Sequence, residues 1–333
     1  TLLNYLMSNS SYEDEYKDNR LKADQQTHVD YGLHAVISTR EQMQEIDHYI
    51  KDYGISSFKF FMSFRGEEGS YIGLPPIDDG LMYELFDILS ERPGSIVCVH
   101  TENIEVVWSI KKRLQESGRD DLKAWHEARP PFVEAQAAAS AMSFAKETGA
   151  SAYIVHTSTE ATLKEIRSFR QQGGKIFAET CPHYLTHTYD SDVGMFGKQN
   201  PPLRSPEDVE AMWEAIEDGT IDTIGSDHAP RLGDKKKGSV WDASPGQPNM
   251  PVILPVLLSE GYNKRNISLE RIAEISSANP AKIFGLWPQK GSLSIGSDAD
   301  LVMVDLNLEK VITAKGLQGR ADYSIYENQK MKG

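Results

Sequence analysis

The stretch Ser151-Ala152-Tyr153-Ile154-Val155-His156 opens the most regular unit of this chain, because its β-branched and aromatic residues predict a strand. The residues that follow place apolar side chains at helical spacing: Leu163, Ile166 and Phe169. Gly173-Gly174 ends that helix, and residues 175–181 predict the next strand. Strand, helix, glycine and strand in this order form a βαβ unit, in which the two strands run parallel.

The same alternation extends along the chain in both directions from this unit. Short apolar runs predict six strands, at residues 34–38, 57–62, 95–102, 152–157, 175–181 and 220–226. One of the helices between them begins at Ser205 and Pro206, and Asp208 completes a variant of the capping box. Six strands that alternate with helices predict a parallel sheet, which is either an open doubly wound sheet or most of a (β/α)8 barrel.

Near the C-terminus the alternation stops. Residues 291–300 are rich in turn-forming residues, and residues 301–304 and 310–313 then predict strands without a helix between them. The sequence therefore predicts a small separate β element over residues 291–333, and a main α/β domain over residues 1–290.

Composition excludes several classes of function. The 333 residues include 35 Lys and Arg and 49 Asp and Glu, which gives a net charge of −14. Such an acidic chain disfavours non-specific binding to nucleic acid or to an anionic membrane. The two cysteines are typical of a reducing compartment, so we expect a cytoplasmic protein. The first residues have neither an initiator Met nor a signal-peptide pattern, and we expect both ends to be cut from a longer chain.

Four polar residues lie at the carboxyl ends of predicted strands, namely Lys59, His100, His156 and Asp227. This edge is where ligands bind in parallel α/β folds, so two histidines and an aspartate there predict a metal site. A lone histidine at a strand end is more often structural. From spacing alone, Lys59 is better explained as a lysine whose stem packs on apolar surface while its ammonium group reaches water.

Other patterns give weaker indications. Ser158 near His156 belongs to no Ser-His-Asp arrangement, and Gly66, Gly69 and Gly73 lie in a loop rather than in a nucleotide fingerprint. The rigid loop at residues 200–204 follows a strand and could present backbone amides to a substrate.

With these residues in place, the sequence resembles the cyclic amidohydrolases of the amidohydrolase superfamily. It is most similar to the hydantoinase and dihydropyrimidinase group, with allantoinases and dihydroorotases next. The matching stretches follow the family order along nearly the whole chain, at residues 30–34, 57–62, 99–103, 155–158, 179–185, 200–204, 225–230 and 296–304.

The resemblance implies a (β/α)8 barrel that lacks its first strands, with a remnant of a small β-sandwich domain at residues 291–333. It also implies two divalent metal ions, usually Zn²⁺. It implies that carbon dioxide carbamylates Lys59, which then bridges the metals, and this overrides the interpretation from spacing alone. His100 and His156 match the ligands of the more exposed metal. Asp227 matches the ligand of the buried metal that also transfers the proton. Family members form homo-oligomers, dimers or tetramers.

The implied reaction is ring opening of a small cyclic amide or ureide, such as a hydantoin or a dihydropyrimidine. A metal-bridging hydroxide attacks the ring carbonyl, and Asp227 delivers the proton to the leaving nitrogen. The product is an N-carbamoyl amino acid or a related ureido acid. Allantoinase or dihydroorotase chemistry is the alternative activity. A non-catalytic scaffold related to dihydropyrimidinase, or an open-sheet binding module, is the alternative class.

Three positions depart from the family pattern. The His-x-His pair of the first barrel strand has no counterpart, so we expect strands 3–8 of the barrel, one incomplete metal site and little activity. Phe64 replaces the tyrosine that hydrogen-bonds the oxyanion in hydantoinases, and Tyr71 in the adjacent loop is a possible substitute. The loop from Asn200 to Arg204, a further candidate for substrate binding, resembles that of dihydroorotases.

Overall fold

A computed structural model of the protein describes residues 1–66 and 74–333. The chain divides into two units, and three helices and one strand begin in one unit and end in the other. The first unit contains Thr1–Glu105, Gln136–Val155 and Ile166–Phe177, and the second contains Val106–Ala135, His156–Glu165 and Ala178–Gly333.

The first unit is built on five parallel strands. They are β1 (Leu2–Leu6), β2 (Tyr31–Val36), β3 (Ser57–Phe61), β4 (Ile96–His100) and β5 (Ala152–Ile154). Each strand pairs in parallel with the next one along the chain. Every residue of β4 is buried, as expected of a continuous apolar run in a sheet that is covered on both faces.

Helices connect the strands in the predicted alternation. They are α1 (Glu13–Gln26), α2 (Arg40–Gln44), α3 (Ile46–Tyr53), α4 (Asp79–Ser90), α5 (Ile104–Glu116), α6 (Leu122–Ala128), α7 (Pro131–Thr148) and α8 (Glu160–Gln171). Local signals mark their ends. Thr39 and Gln42 form a capping box at the start of α2, and Gly54 ends α3 in the left-handed conformation with φ +68°.

The second unit contains the end of β6 (Ile176–Thr180), which pairs in parallel with β7 (Thr223–Ile224). The helix α9 (Pro206–Glu217) begins with the predicted capping box of Ser205 and Asp208. Two 3-10 turns, at Pro182–Leu185 and Gly194–Gly197, lie between β6 and α9. The segments after β7 are also short. They are 3-10 turns at Gly233–Lys236 and Met250–Val252, α10 (Ile253–Val256), a π-helical turn at Leu257–Tyr262, α11 (Asn263–Arg265), α12 (Leu269–Ala273), a π-helical turn at Glu274–Ala278 and α13 (Asn279–Ile283).

The C-terminal element is a pair of antiparallel strands, β8 (Glu309–Val311) and β9 (Lys330–Lys332). The strand predicted at residues 310–313 is thus present as β8. The strand predicted at residues 301–304 is wrong, because these residues have no strand conformation and Met303 is 98% exposed. An apolar run becomes a strand only where a neighbouring strand takes up its backbone hydrogen bonds.

The six predicted strands before residue 290 are all present, although β5 and β7 are shorter than expected. One strand was not predicted, namely β1, which precedes β2 and pairs with it in parallel. The five residues of β1 show no clear alternation of apolar and polar side chains, so their sequence gives only a weak strand signal. They form a strand because they pair with residues 31–35. Within the residues described, no helix combines the length and apolar character needed to cross a membrane.

Candidate active site

Lys59 is buried in the first unit. Along β3 it alternates with the fully buried Phe58 and Phe60, so its side chain leaves the opposite face of the sheet. The side chain is 2% exposed, and Nζ lies 4.7 Å from the ring centroid of Phe61 and 5.6 Å from that of Tyr5. The interpretation from spacing alone, an ammonium group that reaches water, is therefore wrong.

A neutral histidine lies beside this lysine. His34 on β2 is buried, its ring centroid lies 5.0 Å from that of Tyr5, and its Nδ1 hydrogen-bonds the Ser57 hydroxyl. Burial, followed by the positive charge of Lys59, lowers the pKa of His34 to about 3. His34 belongs to one of the stretches that match the family, but no role was predicted for it from the sequence.

His100 is the last residue of β4, and it is paired in register with Phe61 on β3. Lys59 is two residues before Phe61, so Lys59 and His100 project from the same face of neighbouring strands. The His100 imidazole Nε2 lies 2.9 Å from Glu102 Oε2, and both residues are buried. A carboxylate that orients an imidazole in this way is typical of metal-binding histidines.

In the second unit, His156 and Asp227 follow β5 and β7 in unusual backbone conformations. Their φ angles are +40° and +42°, in the left-handed region that side chains rarely adopt. Each such residue costs of order 1–3 kcal/mol and persists only where the surroundings hold it in place. Strained residues of this kind concentrate at functional sites, which supports the prediction for both positions.

Glu179 on β6 connects the segments that carry His156 and Asp227. Its carboxylate Oε1 accepts a hydrogen bond from the His156 backbone N–H at 3.1 Å, and its backbone oxygen accepts one from Thr157 N–H at 2.6 Å. The Glu179 carboxylate also packs against Gly225, two residues before Asp227. A Cβ at Gly225 would lie 2.7 Å from Oε1 and closer still to Oε2, so only glycine leaves room for the carboxylate. Glu179 was not predicted from the sequence, and an acidic residue within an otherwise apolar predicted strand is the signal that could have indicated it.

The predicted substrate-binding residues have different surroundings. Phe64 stacks on Phe61 with 4.4 Å between ring centroids, and Tyr71 lies outside the described residues. Asn200 is half-buried and precedes a cis peptide bond to Pro201. Arg204 is 1% exposed and forms an ion pair with Glu134, with 2.9 Å between Nη2 and Oε2.

A model of the amidohydrolase family matches residues 71–330 of this sequence. The chain belongs to the amidohydrolase family. It is 32% identical to an L-hydantoinase of Paenarthrobacter aurescens, over 96% of this chain and 69% of that protein. It is 33% identical to an allantoinase of Deinococcus radiodurans, over 96% of this chain and 70% of that protein.

Solved structures show the same relationship. A crystal structure of the dihydropyrimidinase from Brevibacillus agri matches 99% of this chain and 73% of its own with a TM-score of 0.91 and 28% identity. The predicted barrel-type α/β fold is confirmed by such matches. The predicted family and the predicted enzyme class, a cyclic amidohydrolase, are confirmed as well.

Proposed function

We propose that this amidohydrolase opens a small cyclic amide or ureide ring by metal-dependent hydrolysis of a C–N bond. The observation that carries the proposal is that Lys59, His100, His156 and Asp227 all lie at or near the carboxyl ends of strands, in a chain similar to hydantoinases and allantoinases. Lys59, His100 and His156 are buried, as expected of side chains that are held in position to bind a ligand and are not solvated.

The residues present fit a divalent metal. Two imidazoles and a carboxylate are ligands that Zn²⁺ prefers, and members of this family generally bind two metals with a carboxylated lysine. Lys59 would hold the metal as its carbamate, together with His100, His156 and Asp227. The sequence contains no His-x-His pair, so we propose that this chain binds one Zn²⁺ tightly.

When bound, the metal supplies a water of pKa near 7 and polarises the ring carbonyl. The chain's own residues do the rest. Asp227 accepts a proton at its carboxylate and returns it to the ring nitrogen that leaves. Glu102 fixes the orientation of the His100 imidazole, and Glu179 fixes the backbone at His156.

The substrate ring is a second proposal. Phe64 provides no hydroxyl group where hydantoinases place a tyrosine to bind the oxyanion. Because the relatives of this chain include allantoinases as well as hydantoinases, Phe64 favours an allantoin-like ureide as the alternative substrate. We also propose a homo-oligomer, a dimer or a tetramer, which light scattering would measure. The cytoplasmic location stays a prediction.

A substrate panel tests the proposal. The protein is incubated with Zn²⁺ and bicarbonate, then assayed on hydantoin, dihydrouracil, allantoin and dihydroorotate for release of the ureido acid. Because one metal site is expected to be incomplete, we expect slow but measurable turnover of one ring, and a loss of more than about 100-fold in Lys59→Met. Lys175→Met is the control, because Lys175 is an exposed lysine of the same unit whose Nζ donates to the Gly149 carbonyl at 2.9 Å.

Two results would contradict the proposal. One is a protein that binds Zn²⁺ and opens none of the rings, as expected of a non-catalytic scaffold. The other is a Lys59→Met variant that turns over as fast as the Lys175→Met control.

A further inference from the structure

Glu134, Ser158 and Arg204 form a buried polar network in the second unit. The Glu134 carboxylate accepts hydrogen bonds from the Ser158 backbone N–H at 2.9 Å, from the Ser158 hydroxyl, and from Arg204 Nη2 at 2.9 Å. Arg204 Nε donates to the Ser158 hydroxyl oxygen at 2.9 Å, and Nη1 donates to the Arg129 carbonyl. None of the three network side chains is more than 1% exposed.

This network is attached to the segment that carries His156. Ser158 is two residues after His156, and three successive backbone N–H groups there are bound by two glutamates, the buried Glu134 and the half-buried Glu179. Glu179 accepts from His156 and Thr157, and Glu134 accepts from Ser158. The Thr157 carbonyl accepts a hydrogen bond from the Thr180 hydroxyl at 2.9 Å. The backbone after β5 is therefore fixed from both sides.

The energetics indicate what this network does. His156 has a φ of +40°, an unfavourable backbone conformation that persists only where the surrounding structure holds it. Replacing a buried ion pair by apolar side chains of similar volume often leaves stability unchanged, so stability alone does not explain why Glu134 and Arg204 are charged. Two charges that bind one short segment restrict its position more than apolar contacts do.

We propose that the Glu134–Arg204 pair is a positioning device for the candidate metal ligand His156. The pair clamps Ser158 and so keeps His156, two residues earlier, in its left-handed conformation. Arg204 acts through Ser158 rather than by contacting the substrate, which replaces the role expected from the sequence. The inference rests on the proposed function, because it assumes that the His156 imidazole binds metal.

The test replaces the pair by apolar residues in the double variant Glu134→Leu/Arg204→Met, which removes both charges together. The control is Arg119→Met/Glu127→Leu, which removes a partly exposed ion pair of the same unit, with 3.1 Å between Nη1 and Oε2, together with the contact of Arg119 to Asp121. Amide hydrogen exchange of residues 156–158 is measured without metal. We expect exchange to be at least 10-fold faster in the first double variant and unchanged in the control.

A second measurement follows Co²⁺. We expect the first double variant to bind Co²⁺ about 10–100-fold more weakly than the unaltered protein, with altered visible absorption bands. The control should keep both the affinity and the bands. A purely structural pair would leave both properties unchanged in every variant that folds.

Ser158→Ala keeps the experiment decisive if the double variant does not fold, since it deletes the shared hydroxyl and leaves the ion pair. We expect several-fold faster exchange of the same amides. Unchanged exchange in the folded variants, or unchanged Co²⁺ binding, would overturn the inference. If the unaltered protein binds no Co²⁺, the proposed function is contradicted as well. If only the expected change in amide exchange is absent, the inference is contradicted but the proposed function is not.

Discussion

Replacing Gly225 with alanine tests whether the Glu179 carboxylate organises this part of the active site. A Cβ at this position would come within 2.7 Å of Oε1, so the carboxylate must move away. It would then lose the hydrogen bond that it accepts from the His156 N–H at 3.1 Å. No left-handed φ is recorded at Gly225, so the backbone itself accepts an alanine.

Three contributions decide the size of the effect. Losing a hydrogen bond to a charged group costs about 1.5–3 kcal/mol, and inserting a methyl group into a packed site costs about 1–3 kcal/mol. Gly→Ala recovers about 0.4–1 kcal/mol by restricting the unfolded chain. We therefore expect the free energy of unfolding to fall by about 2–5 kcal/mol.

Urea denaturation measures this free energy for Gly225→Ala, Glu179→Ala and the double variant. Glu179→Ala removes the group with which the new methyl collides, so adding Gly225→Ala to it should cost almost nothing. The two effects should thus be strongly non-additive. Gly319→Ala is the control, because the nearest atom to its Cβ would be the Ala321 backbone N at 4.0 Å, and we expect a change within about 0.5 kcal/mol.

Either of two results would refute the reasoning about Glu179. The first is a Gly225→Ala variant as stable as the Gly319→Ala control. The second is a double variant in which the two single effects simply add, since this would mean that Gly225 and Glu179 do not touch.

Three further predictions concern pH and the substrate. Burial lowers the pKa of both His126 and His187 to about 4. As pH falls below about 6.5, these histidines therefore bind more protons in the unfolded chain than in the folded one, which destabilises the folded protein. Urea denaturation should give a free energy of unfolding that is about 2 kcal/mol per histidine lower at pH 5 than at pH 7, and His187→Gln should make that difference smaller. Burial lowers the pKa of Lys236 from 10.5 to about 7, so the free-energy cost of burying its charged form is full below pH 7 and is relieved as pH rises towards 10. Lys236→Met should therefore stabilise the protein more at pH 6 than at pH 10, by about 1.4 kcal/mol for each pH unit between the two pKa values. Equal stabilisation at both pH values would contradict the burial of a charge. Phe64→Tyr supplies the missing hydroxyl, and steady-state kinetics should show turnover of a hydantoin ring rising by up to ~10²-fold; unchanged turnover of every ring would mean that this position does not face the oxyanion.

Most residues of the candidate active site were proposed from the sequence because they carry local signals. A polar residue directly after an apolar run made His100, His156 and Asp227 candidates, and the family resemblance made Lys59 one. These assignments stay predictions. Glu179 and Glu134 were not predicted, because the sequence around an isolated glutamate in a strand or helix does not show whether its carboxylate faces water or binds a backbone amide. The burial of Arg204 was missed for the same reason, since its partner Glu134 is 70 residues away in the chain.

The sequence by itself determined the alternation of strands and helices and where several helices begin and end. These features depend on neighbours a few residues apart, such as Ser205 with Asp208, or Gly54 at the end of α3. Only the tertiary structure decided that residues 2–6 form a strand while residues 301–304 do not. It also decided that His156 is left-handed and that Arg204 is buried against a glutamate. Backbone pairing and charge burial depend on which distant residues meet, and local pattern does not contain that information.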